Sequence, residues 1–367
     1  MKISCTKESL VNGVSIVSKA VPGKTTMPIL ECILIEASNG IIRMTANDME
    51  LGIETRIDGV IEDNGIIAIN AKFFGDMVRR LPNGMVTIET DASLLTTITC
   101  MNTKFNLPGK SGEDFPYLPD ISKNDVLSIS QYSLKELIRQ TSFSLADNET
   151  NKIMTGELFE ISGNRLRAVA LDGHRIAIRN IELSQSYEAK KVIIPGKTLN
   201  EISKILSGNT ESDVNIYFAE TNVVFEFDDS TVVSRLIEGD YFDIDQMITD
   251  NYSTQVNVNK NDFLSSIERT TLLIKEGEKK PVVVNILDDN MEISINSALG
   301  SLDEKVEIQK TGNDIMIGFN PKFLIDVLKV VDEDNISMYL MSAKAPCFIR
   351  DEDNKYIYIV LPVNFKS

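Results

Sequence analysis

One segment of this chain occurs three times, and its spacing restricts the possible folds more than any other feature. Lys72, Lys197 and Lys322 hold the same place in the segments AKFFGDMVRRLP, PGKTLNEISKIL and NPKFLIDVLKVV, and successive copies are 125 residues apart. A period of this length indicates duplication of a whole domain, because solenoids and propellers repeat every ~20–50 residues. The sequence therefore predicts three similar domains.

The three segments have the charge pattern of an amphipathic helix. Each has a base, an acid four residues later and a second base three residues after the acid, and these offsets form one stripe on a helix. A single copy would be ordinary surface charge, but three copies in register indicate three helices that bury one face and expose a basic one. The charged residues are Lys72, Asp76 and Arg79, then Lys197, Glu201 and Lys204, then Lys322, Asp326 and Lys329. The apolar residues are Phe74, Met77 and Leu81, then Leu199, Ile202 and Leu206, then Leu324, Val327 and Val331.

An earlier helical pattern opens each copy, at residues 6–19, 133–144 and 260–275. Short runs rich in β-branched residues and separated by turn residues fill most of the remainder, as is typical of antiparallel strands. Two helices and many short strands per copy predict an α+β domain in which antiparallel sheets back the helices. The strands predicted before the second helix of the first copy are Ile29–Glu36, Ile41–Ala46, Leu51–Ile57 and Ile66–Ile69.

Two polar segments marked by proline and glycine, Gly109–Lys123 and Asp240–Ser253, are typical of connectors between domains. A chain of 367 residues is also too long for one core of ordinary size. We therefore predict domains at residues 1–122, 123–250 and 251–367.

The net charge of −17 argues against nucleic-acid binding when it is taken as a whole. Its distribution along the chain argues the other way. The six predicted helical segments together carry +7, which leaves −24 on the rest of the chain. If those helices share one surface, the molecule has a basic side and an acidic side.

The composition argues against several classes of protein. The opening MKISCTKESL lacks the apolar centre of a signal peptide, and no apolar run is long enough to cross a bilayer, so we predict a cytoplasmic protein. Cys5, Cys32, Cys100 and Cys347 are scattered without a CxxC pair, which predicts reduced, half-buried thiols. The single histidine, His174, has no suitably spaced partner for hydrolysis. We expect no catalytic activity, no metal and no cofactor.

Two segments suggest a ligand site at first sight. The sequence PGKT at 22–25 and at 195–198 is similar to the end of a phosphate-binding loop, but the required earlier glycine is replaced by Ser18 and Lys191. In LDGHRI at 171–176, an Asp-Gly turn precedes a His-Arg pair that leads into an apolar strand. Spacing alone favours a hairpin turn in which Asp172 pairs with Arg175.

Four further motifs, taken together with the threefold repeat, resemble those of one family. They are ALDGHRIA at 170–177, IVLPV at 359–363, MPIL at 27–30 and LIEG at 236–239. The combination is specific, whereas DGHR or LPV alone would not be. The chain resembles the bacterial replicative DNA sliding clamp, the β subunit of DNA polymerase III, over its whole length.

This resemblance implies a head-to-tail homodimeric ring of six similar domains, in which helices line a central hole and antiparallel sheets form the outside. Such a ring is a processivity factor in DNA replication: it encircles double-stranded DNA without sequence specificity and does not catalyse a reaction. A basic lining suits sliding, because attraction to phosphates does not depend on sequence. The DNA-facing residues implied by the family are Lys24, Lys72, Arg79, Asn148, Lys197, Lys204, Lys322 and Lys329.

The family also implies an interface between the two chains and a cleft for short peptides, roughly Gln-Leu-x-Leu-Phe, carried by the replicative polymerase, the clamp loader and repair polymerases. Aliphatic and methionine walls with few polar anchors suit weak exchange among many partners. The interface residues are Phe105, Leu107, Leu272 and Leu273. The cleft residues are Met154, Leu171, Gly173, His174, Arg175, Ile176, Phe242, Gln246, Met247, Pro346, Ile359, Val360, Leu361, Pro362 and Val363.

The chain departs from the family pattern at several of these positions. Phe242 replaces the usual proline, Gln246 a frequent basic residue and Asn364 the usual arginine, which predicts a reshaped and less basic rim of the cleft. The segment around Asn148 is more acidic than the family pattern, which puts its contact with DNA in question. The alternative function is a three-domain protein-binding scaffold that does not use DNA, and the net acidity favours it.

Overall fold

The computed structural model describes residues 1–119, 121, 123, 126–147 and 150–365. Within these residues each repeat contributes two α-helices, which confirms the predicted pattern. Every helix lies where its periodicity predicts, with ends shifted by a few residues. The helices are α1 Lys7–Val17, α2 Ala71–Arg80, α3 Gln131–Thr141, α4 Gly196–Ile205, α5 Lys260–Thr271 and α6 Pro321–Val330.

Asparagine side chains begin three of these helices. Asn70, Asn259 and Asn320 each accept a hydrogen bond from a backbone N–H of the first turn, which satisfies one of the donors left free at a helix start. Pro321 then occupies the first turn of α6, where a missing N–H has little cost. The local sequence therefore fixes where these helices begin.

Twenty-four strands surround the helices in the described part of the chain. In the first repeat they are β1 Lys2–Thr6, β2 Cys32–Ser38, β3 Ile41–Asn47, β4 Leu51–Ile57, β5 Val60–Asp63, β6 Gly65–Asn70, β7 Met85–Thr90, β8 Leu95–Cys100, β9 Thr103–Pro108 and β10 Lys110–Ser111. In the second they are β11 Leu127–Ser130, β12 Gly156–Leu171, β13 Arg175–Pro195, β14 Asp213–Phe218, β15 Asn222–Phe227 and β16 Ser230–Arg235. In the third they are β17 Thr254–Asn259, β18 Val282–Ile286, β19 Asn290–Ser297, β20 Gly300–Gly312, β21 Ile315–Phe319, β22 Asn335–Leu340, β23 Cys347–Arg350 and β24 Tyr356–Val360.

The first compact unit comprises Met1–Lys135 and Asn200–Leu236. It contains a five-stranded antiparallel sheet in the order β5-β1-β7-β8-β9 and a nine-stranded sheet in the order β10-β6-β2-β3-β4-β16-β15-β14-β11. The larger sheet joins the first two repeats where β4 pairs with β16. At that junction Thr55 lies opposite Ser230, and their hydroxyl oxygens are 2.9 Å apart.

The second compact unit comprises Glu136–Leu199 and Ile237–Ser367. Its ten-stranded antiparallel sheet has the order β12-β13-β24-β23-β22-β17-β20-β19-β18-β21. The long β12–β13 hairpin of the second repeat joins the third repeat through β24, with Ile176 opposite Ile359. This sheet carries the residues predicted to form the peptide cleft.

Two apolar groups pack against this second unit's sheet. The first, which we call the helix-side core, joins α5 and α6 to alternate strand residues such as Tyr358 and Val360. The second, which we call the connector-side cluster, receives the intervening strand residues, because successive side chains of a strand point to opposite faces. It consists of Leu158, Val169, Leu171, Ile178, Ile193, Ile237, Ile244, Phe348, Ile357 and Ile359.

Some expectations need correction. Strands β1 and β5 are not predicted from the sequence, and the strand predicted at Ile29–Glu36 begins later, at Cys32. Backbone pairing rather than local pattern accounts for β1, which lies between β5 and β7. The four cysteines are free, but they are fully buried rather than half-buried.

The six described helices are all short, with at most 12 residues in α5. No helix in the described residues has the length and apolar character needed to span a membrane.

Candidate functional site

Four of the predicted cleft residues lie in or against the connector-side cluster of the second unit. Leu171 and Ile359 are buried within this cluster, and Met154 and Ile176 are half-buried against it. Four other predicted cleft residues, which we call the rim, are large apolar side chains that stay in contact with solvent. These are Phe242, Met247, Leu361 and Val363, which are 37–54% exposed. A buried apolar floor with an exposed apolar rim is typical of a protein-docking site.

The connector between the second and third repeats is anchored at several points. Ile237 and Ile244 are buried in the connector-side cluster. The Tyr241 hydroxyl donates a hydrogen bond to the carbonyl oxygen of Val169 at 3.1 Å, and its burial raises the pKa of this phenol. These anchors hold the connector while the neighbouring Phe242 remains accessible.

The turn between β12 and β13 has the structure that its spacing predicts. One Asp172 carboxylate oxygen accepts hydrogen bonds from the backbone N–H groups of His174 and Arg175, at 2.9 and 3.1 Å. The other accepts from Arg175 Nε at 3.0 Å, which confirms the predicted local pair. Gly173 adopts a φ of +85°, a conformation that favours glycine. The His174 carbonyl accepts a hydrogen bond from the Leu361 N–H at 2.9 Å, which connects the turn to the end of β24.

Arg175 is directed away from the connector-side cluster. Its guanidinium bonds to Asp326 of α6 at 2.5 Å and to the Phe143 carbonyl at 2.6 Å, and it lies 4.7 Å from the centre of the Phe323 ring. The His174 ring also stacks on Phe323, with ring centres 5.7 Å apart. The Arg175 side chain therefore joins β13 to α6, whereas the His174 ring lies against α6 and stays exposed.

Strand alternation separates other predicted cleft residues in the same way. Val360 is fully buried in the helix-side core, although the preceding Ile359 belongs to the connector-side cluster. The prediction is a continuous run of wall residues at 359–363. Successive side chains of β24 point to opposite faces of the sheet, so a continuous run within this strand cannot line one wall. Of the other predicted residues, Pro346 and Pro362 are half-buried in loops, and Gln246 donates a hydrogen bond to Asp243 at 2.7 Å.

Most residues of the connector-side cluster are absent from the cleft predicted from the sequence. Val169 and Ile178 belong to the connector-side cluster, as do Ile244, Phe348 and Ile357. The alternation of Val169 with Leu171, and of Ile357 with Ile359, is a signal that could have identified part of this set. Phe348 lies in a short apolar strand, where no alternation distinguishes one face from the other.

The cations of the repeated helices lie on exposed helix faces. Lys72 and Arg79 on α2, Lys197 and Lys204 on α4, and Lys322 and Lys329 on α6 are all exposed. Each helix buries its opposite face, although Met77 of α2 is half-buried and Val78 is buried in its place. Lys24 is exposed in a loop, and Asn148 lies outside the described residues.

The acids of the three stripes have different partners. Asp76 pairs with Arg79 at 2.9 Å, and Glu201 pairs with Lys204 at 2.7 Å. In α6, Asp326 pairs instead with the buried Arg175, and Lys329 pairs with Glu268 of α5 at 2.8 Å. The third acid therefore stabilises a junction within the second unit, whereas the other two neutralise part of their own helix surface.

The predicted interface residues are accessible in the single chain. Phe105 and Leu107 lie two residues apart on β9, at one end of the five-stranded sheet, and both are half-buried. Leu272 follows α5 and is 77% exposed, and Leu273 is half-buried. An apolar strand at a sheet edge is a ready site for pairing with another chain.

One buried acid lies outside the predicted sites. The Glu157 carboxyl accepts a hydrogen bond from the Thr141 hydroxyl at 2.6 Å, and its second oxygen has no partner among the described residues. Burial raises the pKa of this carboxyl to about 8. The described residues also contain no group of three or more His, Cys, Asp or Glu side chains arranged to hold a metal ion.

Three family models match successive parts of the chain. They describe the N-terminal, central and C-terminal domains of the DNA polymerase III beta subunit, and they match residues 1–119, 128–243 and 245–364. A beta sliding clamp from Staphylococcus epidermidis strain RP62A is 32% identical over 374 residues, which cover 99% of this chain and 99% of the relative.

Solved structures of similar proteins have the same fold. A putative DNA polymerase III beta subunit from Eubacterium rectale is 59% identical with a TM-score of 0.97, and all of both chains is covered. The DNA polymerase sliding clamp from Bacillus subtilis is 35% identical with a TM-score of 0.96, again over all of both chains.

Proposed function

Because this chain belongs to the family of the bacterial DNA polymerase III β subunit, the sliding clamp, we propose that it is a processivity factor for DNA replication. Two copies form a closed ring around double-stranded DNA and hold the replicative polymerase on its template. The observation that carries this proposal is the similarity to sliding clamps along the whole chain. We propose three domains with the limits predicted above, at residues 1–122, 123–250 and 251–367.

The exposed cations of the repeated helices provide the contact with DNA in this proposal. Lysine and arginine side chains neutralise phosphates without reading bases, so the attraction is the same at each step along the duplex. Retention comes from closure of the ring, and the contact with phosphates need only be weak. The acidic remainder of the chain disfavours binding of DNA to other surfaces.

The seam of the ring uses the apolar residues at the edge of the first unit's five-stranded sheet. In this proposal Phe105 and Leu107 of one protomer pack against Leu272 and Leu273 of the second copy. Covering the 77%-exposed Leu272 removes apolar area from water, and interfaces that last commonly have such apolar centres.

The connector-side cluster and its rim form the docking site for partner peptides. An extended Gln-Leu-x-Leu-Phe segment can place its leucine and phenylalanine side chains against Leu171, Ile176 and Ile359. The flexible Met247 and the exposed Leu361 adjust to different sequences, which suits a site shared by several partners. These partners are the replicative polymerase, the clamp loader and repair polymerases. The protein acts in the cytoplasm and performs no reaction itself.

Retention on DNA of defined topology tests this function. The clamp is loaded onto a nicked circular plasmid with the clamp loader and ATP and separated from free protein by gel filtration. We expect it to remain on the circle and to be lost after one restriction cut, because a ring slides off a free end. Equal retention on circular and linear DNA would contradict the proposal, and no retention would favour the DNA-independent scaffold.

A seam variant provides the matched control. Leu272→Glu places a charge on an exposed residue, so the protomer should fold while the apolar seam is lost. We expect the wild-type solution mass to be near twice the 40.9 kDa chain mass and the variant to shift toward the single chain. The variant should also lose retention on circular DNA while it continues to bind the docking peptide.

A further inference from the structure

A cavity of about 350 Å³ lies on the β12–β13 hairpin of the second unit, apart from the predicted cleft residues. Its lining is rich in long basic side chains, and one acid opposes them. The charged and polar lining residues are Glu160, Ser162, Arg165, Arg167, Lys190 and Lys191. A lining with four cations and one acid is unusual in a chain whose net charge is −17.

A bend in the hairpin creates this cavity. Glu160 and Arg167 are seven residues apart on β12, a separation of ~23 Å in a straight strand. Their side chains are nevertheless 3.2 Å apart. The pairing of β12 with β13 shifts register on both sides of Gly163, which has a φ of +60°. Register shifts of this kind bend a strand, and the bend brings the two charged ends of the hairpin face together.

Arg167 has a largely buried side chain within this lining. Its side chain is 15% exposed, and its Nη1 bonds to Glu160 at 3.2 Å and to Asp245 at 2.7 Å. Its Nη2 is buried and has no hydrogen-bond partner among the described residues. A buried donor without a partner has a desolvation cost that an incoming carboxylate would remove.

The cavity continues the docking site along the same face of the sheet. Arg167 and Val169 are two residues apart on β12, so both side chains point to the connector side. Asp245, which bonds to Arg167, is two residues before Met247 on the rim of the cleft. A peptide that lies along this face of the sheet therefore extends from the apolar rim toward the basic cavity.

We propose that this basic cavity is an accessory subsite that binds an acidic side chain flanking the apolar docking motif of a partner peptide. The carboxylate takes the unpartnered Nη2 of Arg167 and lies near Arg165 and Lys191. Lys191 already pairs with Glu160 at 2.5 Å, so the peptide acid shares these cations with Glu160. The inference rests on the proposed docking function and specifies which partner sequences bind best.

Calorimetry with three synthetic peptides tests this subsite on the full-length protein. One peptide contains Gln-Leu-Ser-Leu-Phe between neutral residues, and the other two carry Ala-Asp-Glu before or after the same motif. We expect one acidic peptide to bind ~5-fold tighter than the neutral one, since a partly exposed ion pair contributes up to about 1 kcal/mol. The gain should decrease as salt rises from 50 to 500 mM, because salt screens such pairs.

The double variant Arg165→Gln, Lys191→Gln identifies the cavity as the source of the gain. It should bind the neutral peptide as the wild type does and lose most of the acidic gain. Lys305→Gln is the matched control, because Lys305 is similarly exposed and pairs with Glu292 at 2.9 Å outside the cavity lining. It should retain the gain.

The outcomes separate this inference from the docking function beneath it. If the neutral peptide binds and neither acidic peptide binds more than 2-fold tighter, the accessory subsite is wrong while the cleft remains. A gain that persists in the double variant also overturns the subsite. If the neutral peptide does not bind at all, the proposed cleft itself fails and the subsite fails with it.

Discussion

The two apolar groups of the second unit, built on one ten-stranded sheet, differ in what covers them. The helix-side core is closed by α5 and α6, and residues such as Tyr358, Phe263 and Leu324 are fully buried there. The connector-side cluster is covered by an irregular connector that leaves Phe242 and Met247 in solvent. The same strands thus supply a closed core on one side and an accessible apolar rim on the other.

The polar groups on the two sides differ accordingly. On the helix side, Arg175 and Glu157 are buried and held by specific neighbours, so changes there should affect folding. On the connector side, polar groups such as Gln246 lie at the exposed rim. We therefore expect helix-side substitutions to alter the free energy of unfolding and connector-side substitutions to alter peptide affinity.

The largest effect is expected from Arg175→Ala. This change removes the partner of Asp326 and Asp172 and leaves these half-buried acids without their buried cation, a loss of about 3 kcal/mol in the free energy of unfolding. Denaturant unfolding of the full-length protein measures it. Arg165→Ala, in the more open hairpin cavity, is the control and should change this free energy by less than about 0.5 kcal/mol. Equal changes in the free energy of unfolding for the two variants would contradict the proposed difference between the helix side and the connector side.

The next effect concerns the pH dependence of Glu157. Burial raises the pKa of this carboxyl to about 8 in the folded protein, above its ordinary value of 4.5. The folded state therefore favours the protonated form, so this contribution to stability is complete below pH 4.5 and is lost as pH rises through about 8. Glu157→Gln should remove the loss and be more stable than the wild type by about 2 kcal/mol at pH 9.

Unfolding midpoints of both proteins between pH 5 and pH 9 check this prediction. The difference between variant and wild type should grow from pH 5 to about pH 8 and level off above it. A difference that is constant with pH would show that Glu157 does not change its ionisation in this way.

The smallest effect is expected from Leu361→Ala on the connector side. Leu361 is 38% exposed, so its truncation should change the free energy of unfolding by less than about 1 kcal/mol. It also contributes to the rim, and we expect the affinity for a Gln-Leu-Ser-Leu-Phe peptide to fall ~10-fold. Calorimetry measures this affinity, and Met85→Ala, on an exposed apolar residue of β7 in the first unit, is the control. Unchanged peptide affinity in the Leu361 variant would discredit the proposed rim.

The sequence predicted the repeated architecture well for a physical reason. The six described helices have a 3.6-residue apolar period, and α1, α2, α5 and α6 begin with a threonine or asparagine cap; both are local signals. The repeat interval then assigned two helices to each domain, and the family assignment made from motifs is confirmed. Strand β1 was not predicted, because its extended structure depends on pairing with β5 and β7, which are distant in sequence.

The site was only partly predictable for a related reason. Motifs placed His174, Arg175 and Val360 in the cleft by chain position, but the direction of a side chain depends on strand register. The basic cavity depends on a bend that brings Glu160 close to Arg167, and no local sequence pattern predicts that contact. The position of a site residue along the chain could therefore be predicted from the sequence. The face of the sheet to which its side chain points, and its contacts with distant residues, could not.

Hydrogen–deuterium exchange with a saturating Gln-Leu-Ser-Leu-Phe peptide tests the distinction between the two faces most directly. We predict that protection increases at residues 241–248 of the connector and at 359–363 after β24. Exchange in α5 and α6 should stay unchanged, because the helix-side core is already closed. Protection confined to α5 and α6, or no change at the connector, would contradict the assignment of docking to the connector side.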